Sequence, residues 1–425
     1  MKTSRYREFL SVVPSPGVRL CALFSDRFKT ARARVYFLEP IVQGIATQNA
    51  LLARVLRSGS ERYPTRRELA RAGEELYGAS LSVGVTRFGD VQALVGTIEF
   101  PSDRFLPKGS KELEGALGLL AEVLTRPATE QSVLRADFIE QEKFQHEQEL
   151  RAIADDKPAW AALLAAQRTY AGTPGAISEQ GRIEDLPAID APMLTERHRL
   201  LLGNAGVMAF VTGPVKEERG LAVLARALDL PRGKRVVAPE HRPLPHRKTV
   251  SRDRVKAQTE QTHLHFAWTG AGAYGDKSFA ACLYADAIFG GLSTSRLFKV
   301  VRETHGLAYA VHSGLQRVRG VMQARAAVDP GKAEQAVKLI RSEFSRLVKG
   351  GFNDDEFAAA RESLIESRKS ALDSMTARSS DLVLQSLLGF RQKPEAQIKE
   401  IAAVKPAQVR AALKRLRPHS EFRLG

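Results

Sequence analysis

The sequence predicts an α+β protein of two similar halves, each with a mostly antiparallel sheet and helices packed on one side. In both halves, strand-like runs separated by short turns precede grouped helices, which favours an α+β layer over a doubly wound parallel sheet. A segment rich in proline and arginine divides the chain near its middle. We therefore expect a first domain at residues 1–230, a linker at 231–250 and a second domain at 251–425.

The order of elements is the same in both halves. In the first half, strands are predicted at residues 18–24, 33–37, 80–85, 91–100 and 206–212, and helices at 48–56, 112–124, 132–151 and 160–170. In the second half, strands are predicted at 261–268, 307–318 and 320–328, and helices at 277–288, 332–348, 354–372, 377–388 and 406–415. This shared order indicates an ancient duplication.

The composition is that of a globular protein with a large core. The 425 residues are 44% hydrophobic and 7% aromatic. No apolar run has the length of a membrane helix, and the first residues mix charged with apolar side chains, so we expect a cytoplasmic protein without a membrane partner. Cys21 and Cys282 are the only cysteines, and we expect both in the core rather than in a disulfide or a metal site.

The chain is strongly basic, with a formal charge of +16. Such a charge attracts acidic partners, but the Lys and Arg residues are spread over the whole length, as on a solvated basic surface. The richest run, 231–254, contains several prolines and suits an exposed linker better than a groove-binding helix. Nucleic acid is therefore not the expected partner.

A helical run at residues 48–56 lies between Gly44-Ile45-Ala46 and the segment 57–65, which reads Arg-Ser-Gly-Ser-Glu-Arg-Tyr-Pro-Thr. This arrangement resembles the first-domain segment of the pitrilysin/insulinase metallopeptidases. In active members of that family the helix carries the inverted zinc motif His-x-x-Glu-His. Its two histidines bind Zn²⁺ and its glutamate activates water.

The functional positions of that motif have lost their chemistry here. When Gly59 is matched to the glycine after the helix, the motif falls on residues 50–54, with Ala50, Ala53 and Arg54 at the three functional positions. Alanine cannot bind a metal, and the permanent charge of Arg54 would repel one. We therefore expect no metal and no cofactor in this chain.

Other potential metal ligands have simpler interpretations. Glu142 and Glu149 show the seven-residue spacing of the family's remaining ligand, but on their own they are expected to be solvent-facing charges. His146 and Glu147, on the same helix, are not expected to bind metal, because adjacent residues on a helix point about 100° apart and further neutral donors are lacking nearby. His263 and His265 share a strand face, where chelation is possible in principle; a polar strand face or the wall of a packed cleft is the favoured interpretation.

The most specific segment is 293–313. It reads as a helix capped by Thr294 or Ser295, ended by Gly306 and followed directly by a strand. It resembles the second-domain signature of the same family, Ser-Arg-Leu-Phe followed by Arg-Glu-x-x-Gly-Leu-Ala-Tyr. Arg302 and Tyr309 match the Arg and Tyr that contact the bound peptide in that family. Without the resemblance, Arg302 would be a helix-end cap and Tyr309 a core residue.

The resemblance implies a function shared between two chains. In two-chain members one subunit keeps the zinc motif and the other keeps the Arg and Tyr, and this chain fits the second type. The expected partners are a homologous zinc-binding subunit and a peptide substrate, which would add as a strand to a sheet edge around residues 261–268. The alternative is a catalytically silent scaffold or assembly protein that binds a protein partner without cleavage.

Overall fold

The computed structural model describes residues 8–231, 235 and 243–425. Up to residue 231 the elements are β1 (Leu10–Ser15), β2 (Val18–Phe24), β3 (Thr30–Pro40), α1 (Ile45–Val55), α2 (Arg66–Glu75), β4 (Ser80–Phe88), β5 (Val91–Pro101), α3 (Glu112–Thr125), β6 (Thr129–Glu130), β7 (Val133–Leu134), α4 (Ala136–Ala152), α5 (Lys157–Thr169), α6 (Ala191–Asn204), β8 (Gly206–Gly213) and α7 (Glu217–Ala227). From residue 243 they are β9 (Ser251–Val255), β10 (Thr262–Thr269), α8 (Phe279–Asp286), β11 (Ala308–Gln316), β12 (Val321–Val328), α9 (Ala333–Val348), α10 (Asp354–Ala371), α11 (Met375–Leu387), α12 (Pro394–Ala403), α13 (Pro406–Arg415) and β13 (Arg417–Leu424).

The chain forms two compact units. The first contains residues 1–151 and 177–239, and the second contains residues 152–176 and 240–425. Helix α5 therefore belongs to the second unit, although the sequence analysis grouped it with the helices of the first half. Arg232, Lys234 and Arg242 of the predicted linker lie outside the described residues.

Each unit contains one mixed sheet. The strands described in the first unit have the order β1-β2-β8-β3-β5-β4, and those in the second have the order β11-β12-β10-β13-β9. Strands β2 and β8 pair in parallel, as do β9 and β13, and the other neighbours in these two sheets are antiparallel. Apart from β1, the two sheets have the same strand order when the second is read from β9. The order β2-β8-β3-β5-β4 in the first sheet corresponds to β9-β13-β10-β12-β11 in the second. In both, this is the first, last, second, fourth and third strand of the sheet along the chain. This identity confirms the predicted fold of two mostly antiparallel α+β domains.

The main core of each unit lies between its sheet and its helices. In the first unit, apolar residues of α1, α3, α6 and α7 pack on the sheet. In the second unit, Phe266 and Trp268 of β10 pack against α8 and α9. Cys21 and Cys282 are buried, as predicted. Within the described residues, no helix is long and apolar enough to cross a membrane.

Helix α5 covers part of the opposite face of the second sheet. Its Ala161 and Ala165 pack against Phe422 and Leu424 of β13. At its end, the hydroxyl oxygens of Thr169 and Ser420 are 2.8 Å apart. This face is therefore covered near β13 and open toward β11.

The edge strand β11 is held by a half-buried aspartate in the neighbouring helix. The hydroxyl of Ser313 on β11 donates a 2.6 Å hydrogen bond to Oδ1 of Asp286, the last residue of α8. Burial raises the pKa of Asp286 from 3.8 to about 6, and the bond from Ser313 partly opposes this shift. Beyond Asp286 the helix widens into a π-helical turn, Ala287–Gly291.

We expect Asp286→Asn to change how stability depends on pH. Because the folded state binds the proton of Asp286 more tightly than the unfolded state, rising pH removes stability as it passes from about 4 to about 6. The unfolding temperature of the wild type should therefore fall relative to that of Asp286→Asn across this window. Thermal unfolding over a pH series measures the difference, and parallel profiles would contradict the assignment.

Candidate functional site

Helix α1 carries the positions that match the zinc motif, and it is buried in the core of the first unit. It begins after Gly44, whose φ of 81° is in the left-handed region. Ala50 and Ala53 are only 2% and 1% exposed. Their methyl groups pack within the protein, so two of the three functional positions of the motif contribute only apolar contacts.

The third position, Arg54, binds two carboxylates on helix α4. Its Nε donates to Oε2 of Glu142 at 2.8 Å, and its Nη1 donates to Oε2 of Glu149 at 2.8 Å. Glu142 also accepts hydrogen bonds from Ser58, at 3.1 Å, and from Arg66. The guanidinium of Arg54 therefore joins α1 to α4 through the two glutamates that match the family's acidic positions.

The structure corrects the interpretation of Glu142. We expected a solvent-facing charge, but Glu142 is 1% exposed. An ionised carboxylate is stable in such a place only when donors or cations surround it, and two arginines and a hydroxyl do so here. The side chain of Glu149 is 66% exposed, as expected.

This arrangement does not fit zinc. A zinc site needs three or four neutral nitrogen, thiolate or carboxylate ligands around an open centre. Here the two histidine positions are Ala50 and Arg54, and the carboxylates already bind a guanidinium. Within the described ranges, no group of three His, Cys, Asp or Glu side chains is arranged to hold a metal ion.

His146 also has a structural role. It is 2% exposed, and its Nε2 donates to the carbonyl oxygen of Gln180 at 2.9 Å. Burial lowers its pKa, so the neutral imidazole is favoured. Its neighbour Glu147 pairs instead with Arg151 on the same helix.

The segment that carries Arg302 is a π-helical turn, Phe298–Thr304. Such turns are rare and frequently lie at functional sites. The predicted side-chain cap is wrong, because the hydroxyl of Ser295 is buried without a hydrogen-bond partner. The predicted end is confirmed: Gly306 has a φ of 56°, and the chain then enters β11.

Arg302 and Tyr309 lie on either side of this turn and are both exposed. The guanidinium of Arg302 lies over the ring of Phe298, 4.8 Å from its centroid. Tyr309 is 67% exposed, so it is not a core residue. The amide of Leu307 donates to the carbonyl of Val301 at 2.9 Å, which fixes the start of β11 against the turn. In the described part of the chain, neither the guanidinium nor the phenol has a hydrogen-bond partner.

Tyr309 lies in an irregular part of the edge strand. Ala308 pairs with Val328 and Ala310 pairs with Ala327, so Tyr309 is an extra residue in the ladder. Such a bulge re-aims side chains, and here two successive residues, Tyr309 and Ala310, are both exposed. Sequence alternation alone does not reveal this bulge.

The sheet edge differs from the one that we expected. Strand β10, at residues 262–269, pairs with both β12 and β13, so its backbone is not free to accept a peptide. The edge strand next to Arg302 and Tyr309 is β11, which pairs only with β12 among the described strands. Any added strand on this side must therefore bind along β11.

The two histidines of β10 belong to a polar face of the sheet rather than to a chelate. His263 is buried, and His265 lies with its ring 6.3 Å from that of Phe422. Burial lowers the pKa of both histidines. This agrees with the favoured interpretation of a strand face.

Comparison with known proteins points to one peptidase family. Residues 188–364, which include Arg302 and Tyr309, match the family described as Peptidase M16 inactive domain. This part of the chain is therefore similar to the M16, or pitrilysin/insulinase, peptidases. The chain is 26% identical over 340 residues to the probable inactive metalloprotease YmfF of Bacillus subtilis, covering 79% of each protein. It is 30% identical over 208 residues to an uncharacterized zinc protease of Mycobacterium tuberculosis, covering 46% of each.

Solved structures of similar proteins share the fold over nearly the whole chain. A conserved protein from Enterococcus faecalis V583 has a TM-score of 0.89 and 26% identity, covering 98% of both chains. A peptidase M16 inactive domain protein from Pseudomonas fluorescens has a TM-score of 0.81 and 21% identity, covering 99% of this chain and 98% of that one. A chain of Complex III2 from Candida albicans has a TM-score of 0.76 and 16% identity, covering 98% of this chain and 95% of that one.

One prediction for this site concerns the contribution of Arg54 to stability. Arg54→Ala should lower the free energy of unfolding by about 1–3 kcal/mol, because Glu142 stays buried with fewer donors. Glu149→Gln, a control on the exposed partner, should cost less than about 1 kcal/mol. Urea unfolding of both variants measures the contrast, and an equal or reversed order would contradict the central role of Arg54.

Another prediction concerns the positions on α1 that match the zinc motif. Positions 50 and 54 are one turn apart on α1, and the carboxylate of Glu149 already reaches Arg54. The double variant Ala50→His/Arg54→His should therefore bind Zn²⁺ together with Glu149. Added zinc should raise its unfolding temperature, and a chelator should reverse the rise. The single variant Ala50→His is the control. If zinc does not raise the unfolding temperature of the double variant, the prediction that these positions can form a zinc site with Glu149 is wrong.

Proposed function

We propose that this chain is the non-catalytic, substrate-binding subunit of a two-chain zinc peptidase that acts on peptides or unstructured protein segments. The observation that carries the proposal is the contrast between its two sets of family residues. The zinc-motif positions are filled by alanines and by the ion-paired Arg54. Arg302 and Tyr309 are exposed, and their polar groups have no hydrogen-bond partner among the described residues.

The chemistry of these two residues suits a peptide backbone. Guanidinium and phenol groups both donate hydrogen bonds, and a peptide carbonyl accepts them. As the carbonyl becomes an oxyanion during cleavage, the same donors bind it more strongly. Arg302 and Tyr309 are thus the substrate-binding residues of the proposal, while the zinc and the general base come from the partner.

Strand β11 supplies the third element of the proposed site. An extended peptide gains main-chain hydrogen bonds when it adds to an exposed strand edge. The outer edge of β11 faces no other strand of the described chain, and Tyr309 lies at its start. A bound segment would therefore pass Tyr309 while its backbone pairs with β11.

The partner of the proposal is a homologous subunit that carries the zinc motif. The match to a domain described as inactive and the similarity to zinc proteases support a chain that needs such a partner for cleavage. The cytoplasm remains the predicted location of the assembly.

A scaffold that binds a protein without cleavage is the second candidate. The likeness in fold to a chain of Complex III2 from Candida albicans favours it. A pure scaffold has no need for an exposed Arg302 and Tyr309 at an open strand edge, so we rank it second. The two candidates differ in whether a mixture with a zinc-motif homologue cleaves peptides.

The test measures cleavage of unstructured peptides by this chain, by a zinc-motif homologue and by their mixture. Only the mixture should be active. Arg302→Ala should lower kcat/KM of the mixture about ten- to a hundredfold, because a charge-assisted hydrogen bond is worth about 1.5–3 kcal/mol. Tyr309→Phe, which removes only the hydroxyl, should have a smaller effect.

The control for these variants is Arg67→Ala, because Arg67 is an exposed arginine on α2 of the first unit. It should leave activity unchanged. If the chain binds the homologue but neither activates it nor responds to Arg302→Ala, the scaffold function is the better one.

A further inference from the structure

Three basic side chains form a row across the open face of the second sheet. His312 on β11 lies directly opposite Arg325 on β12. Arg325 in turn lies directly opposite His265 on β10. Directly opposed residues of neighbouring strands point to the same face, so the three side chains form a continuous row that begins at the sheet edge.

The row lies on open, shallow surface. His312 and Arg325 are exposed. Toward Tyr309 the neighbours of the row on this face are small, since Ala310 lies two residues before His312 on β11 and Ala327 lies two residues after Arg325 on β12. No bulky side chain at these two positions separates the row from Tyr309 at the start of the same edge strand. On the other side lie Gly314 on β11 and Gln323 on β12, and the side chain of Gln323 donates to the hydroxyl of Tyr170.

The other end of the row lies next to β13 and helix α5. His265 lies opposite Phe422 of β13, which packs under helix α5 against Ala161 and Ala165. The row therefore runs from the free edge of β11 to the side of α5. This position is accessible from the edge, where a peptide would enter.

The positive charge of the row has no counter-ion in the described structure. Arg325 forms no ion pair or hydrogen bond with another described residue. Two carboxylates of the second unit, Asp253 and Asp156, have other partners: Asp253 accepts a hydrogen bond from Ser251 and lies 3.9 Å from Arg168, and Asp156 caps helix α5. An unpaired arginine between two imidazoles is a site that an anion would complete.

The two histidines of the row have lowered pKa values, so Arg325 carries the positive charge of the row. Burial, followed by the charges of Arg325, His263 and His312, lowers the pKa of His265 to about 3. Burial and Arg325 also lower the pKa of His312. At neutral pH the row thus has one permanent cation flanked by neutral rings that can donate one hydrogen bond each.

We propose that the His312–Arg325–His265 row is a subsite for an acidic side chain of an extended peptide bound along the outer edge of β11. The proposal rests on the proposed function and names its substrate class: segments with Asp or Glu at one defined position. A peptide carboxylate supplies the negative charge that the row lacks, and β11 supplies the backbone pairing that places it there.

The dimensions agree with this placement. Neighbouring strands are about 4.8 Å apart, so a residue added opposite His312 has its Cα about 10 Å from that of Arg325. An arginine and a glutamate side chain together span this gap above the imidazole of His312. Because His312 lies two residues after Ala310, the acidic side chain lies two residues from the peptide residue opposite Ala310, close to the part of the peptide that passes Tyr309.

A carboxylate fits the row better than a nucleic acid does. Binding to a nucleic acid backbone needs a series of cations at phosphate spacing. The row has a single permanent cation, Arg325, between two histidines of lowered pKa. One carboxylate matches this charge and this length.

The test compares short extended peptides that differ only by a Glu or a Gln at a single scanned position. Fluorescence anisotropy with the full chain should show about tenfold tighter binding for Glu at one position, because a charge-assisted hydrogen bond is lost with Gln. Arg325→Gln should abolish this preference and leave the Gln peptide unaffected. Arg325→Glu should reverse it in favour of a Lys peptide, which a merely structural role of Arg325 would not do.

Two controls separate this inference from the proposed function. Arg67→Gln, in the first unit, should keep the preference for Glu. Arg302→Ala should weaken the binding of the Glu and the Gln peptide equally, because Arg302 is proposed to bind the peptide backbone, which is the same in both. If the peptides bind and depend on Arg302 but Glu and Gln bind equally at every position, the subsite is wrong and the proposed function stands.

Two other results would contradict the subsite, and one of them would also contradict the proposed function. If no peptide binds the chain alone or in the mixture with a zinc-motif homologue, both proposals fail. A single-stranded oligonucleotide and inorganic phosphate are included as probes. If the oligonucleotide binds in a manner that depends on Arg325 while the two peptides bind alike, the row is a nucleic-acid contact and the acidic-peptide subsite is overturned.

Discussion

A buried carboxylate is among the most costly groups in a protein interior unless cations or donors surround it, and the first unit of this chain is organised around such a group. Glu142 lies on α4, and the cations that stabilise it come from α1 and α2. The guanidinium of Arg54 joins α1 to α4 through Glu142 and Glu149, so the two helices stay connected without the ligands for a metal.

Without a counter-charge, the carboxylates of Glu142 and Glu149 on α4 would repel each other. Arg54 supplies that counter-charge inside the first unit. The second unit is the opposite case, because its Arg302 and Arg325 are exposed cations without carboxylate partners among the described residues. The buried charge of Glu142 in the first unit is thus paired, whereas two exposed arginines of the second unit have no carboxylate partner among the described residues.

The sequence predicted the fold class and the positions of most long elements, because apolar periodicity and glycine punctuation are local signals. It did not predict β13, since Arg417–Leu424 contains a proline and several polar residues although it pairs in the middle of the sheet. The burial of Glu142 and the row through Arg325 were also missed. Both depend on which residues face them from distant segments, and neither spacing nor composition contains that information.

The shared strand order has a consequence for how this protein folds. In each unit the first strand of the common pattern, β2 or β9, joins the rest of its sheet only through the last one, β8 or β13. The hairpin β11–β12 forms from neighbouring residues, but β13 follows β12 only after five intervening helices. Each sheet is therefore closed by a pairing of large sequence separation, which makes folding slow and leaves strand edges open during it. Cells that make this chain in quantity would have to shield those edges until the last strand is inserted.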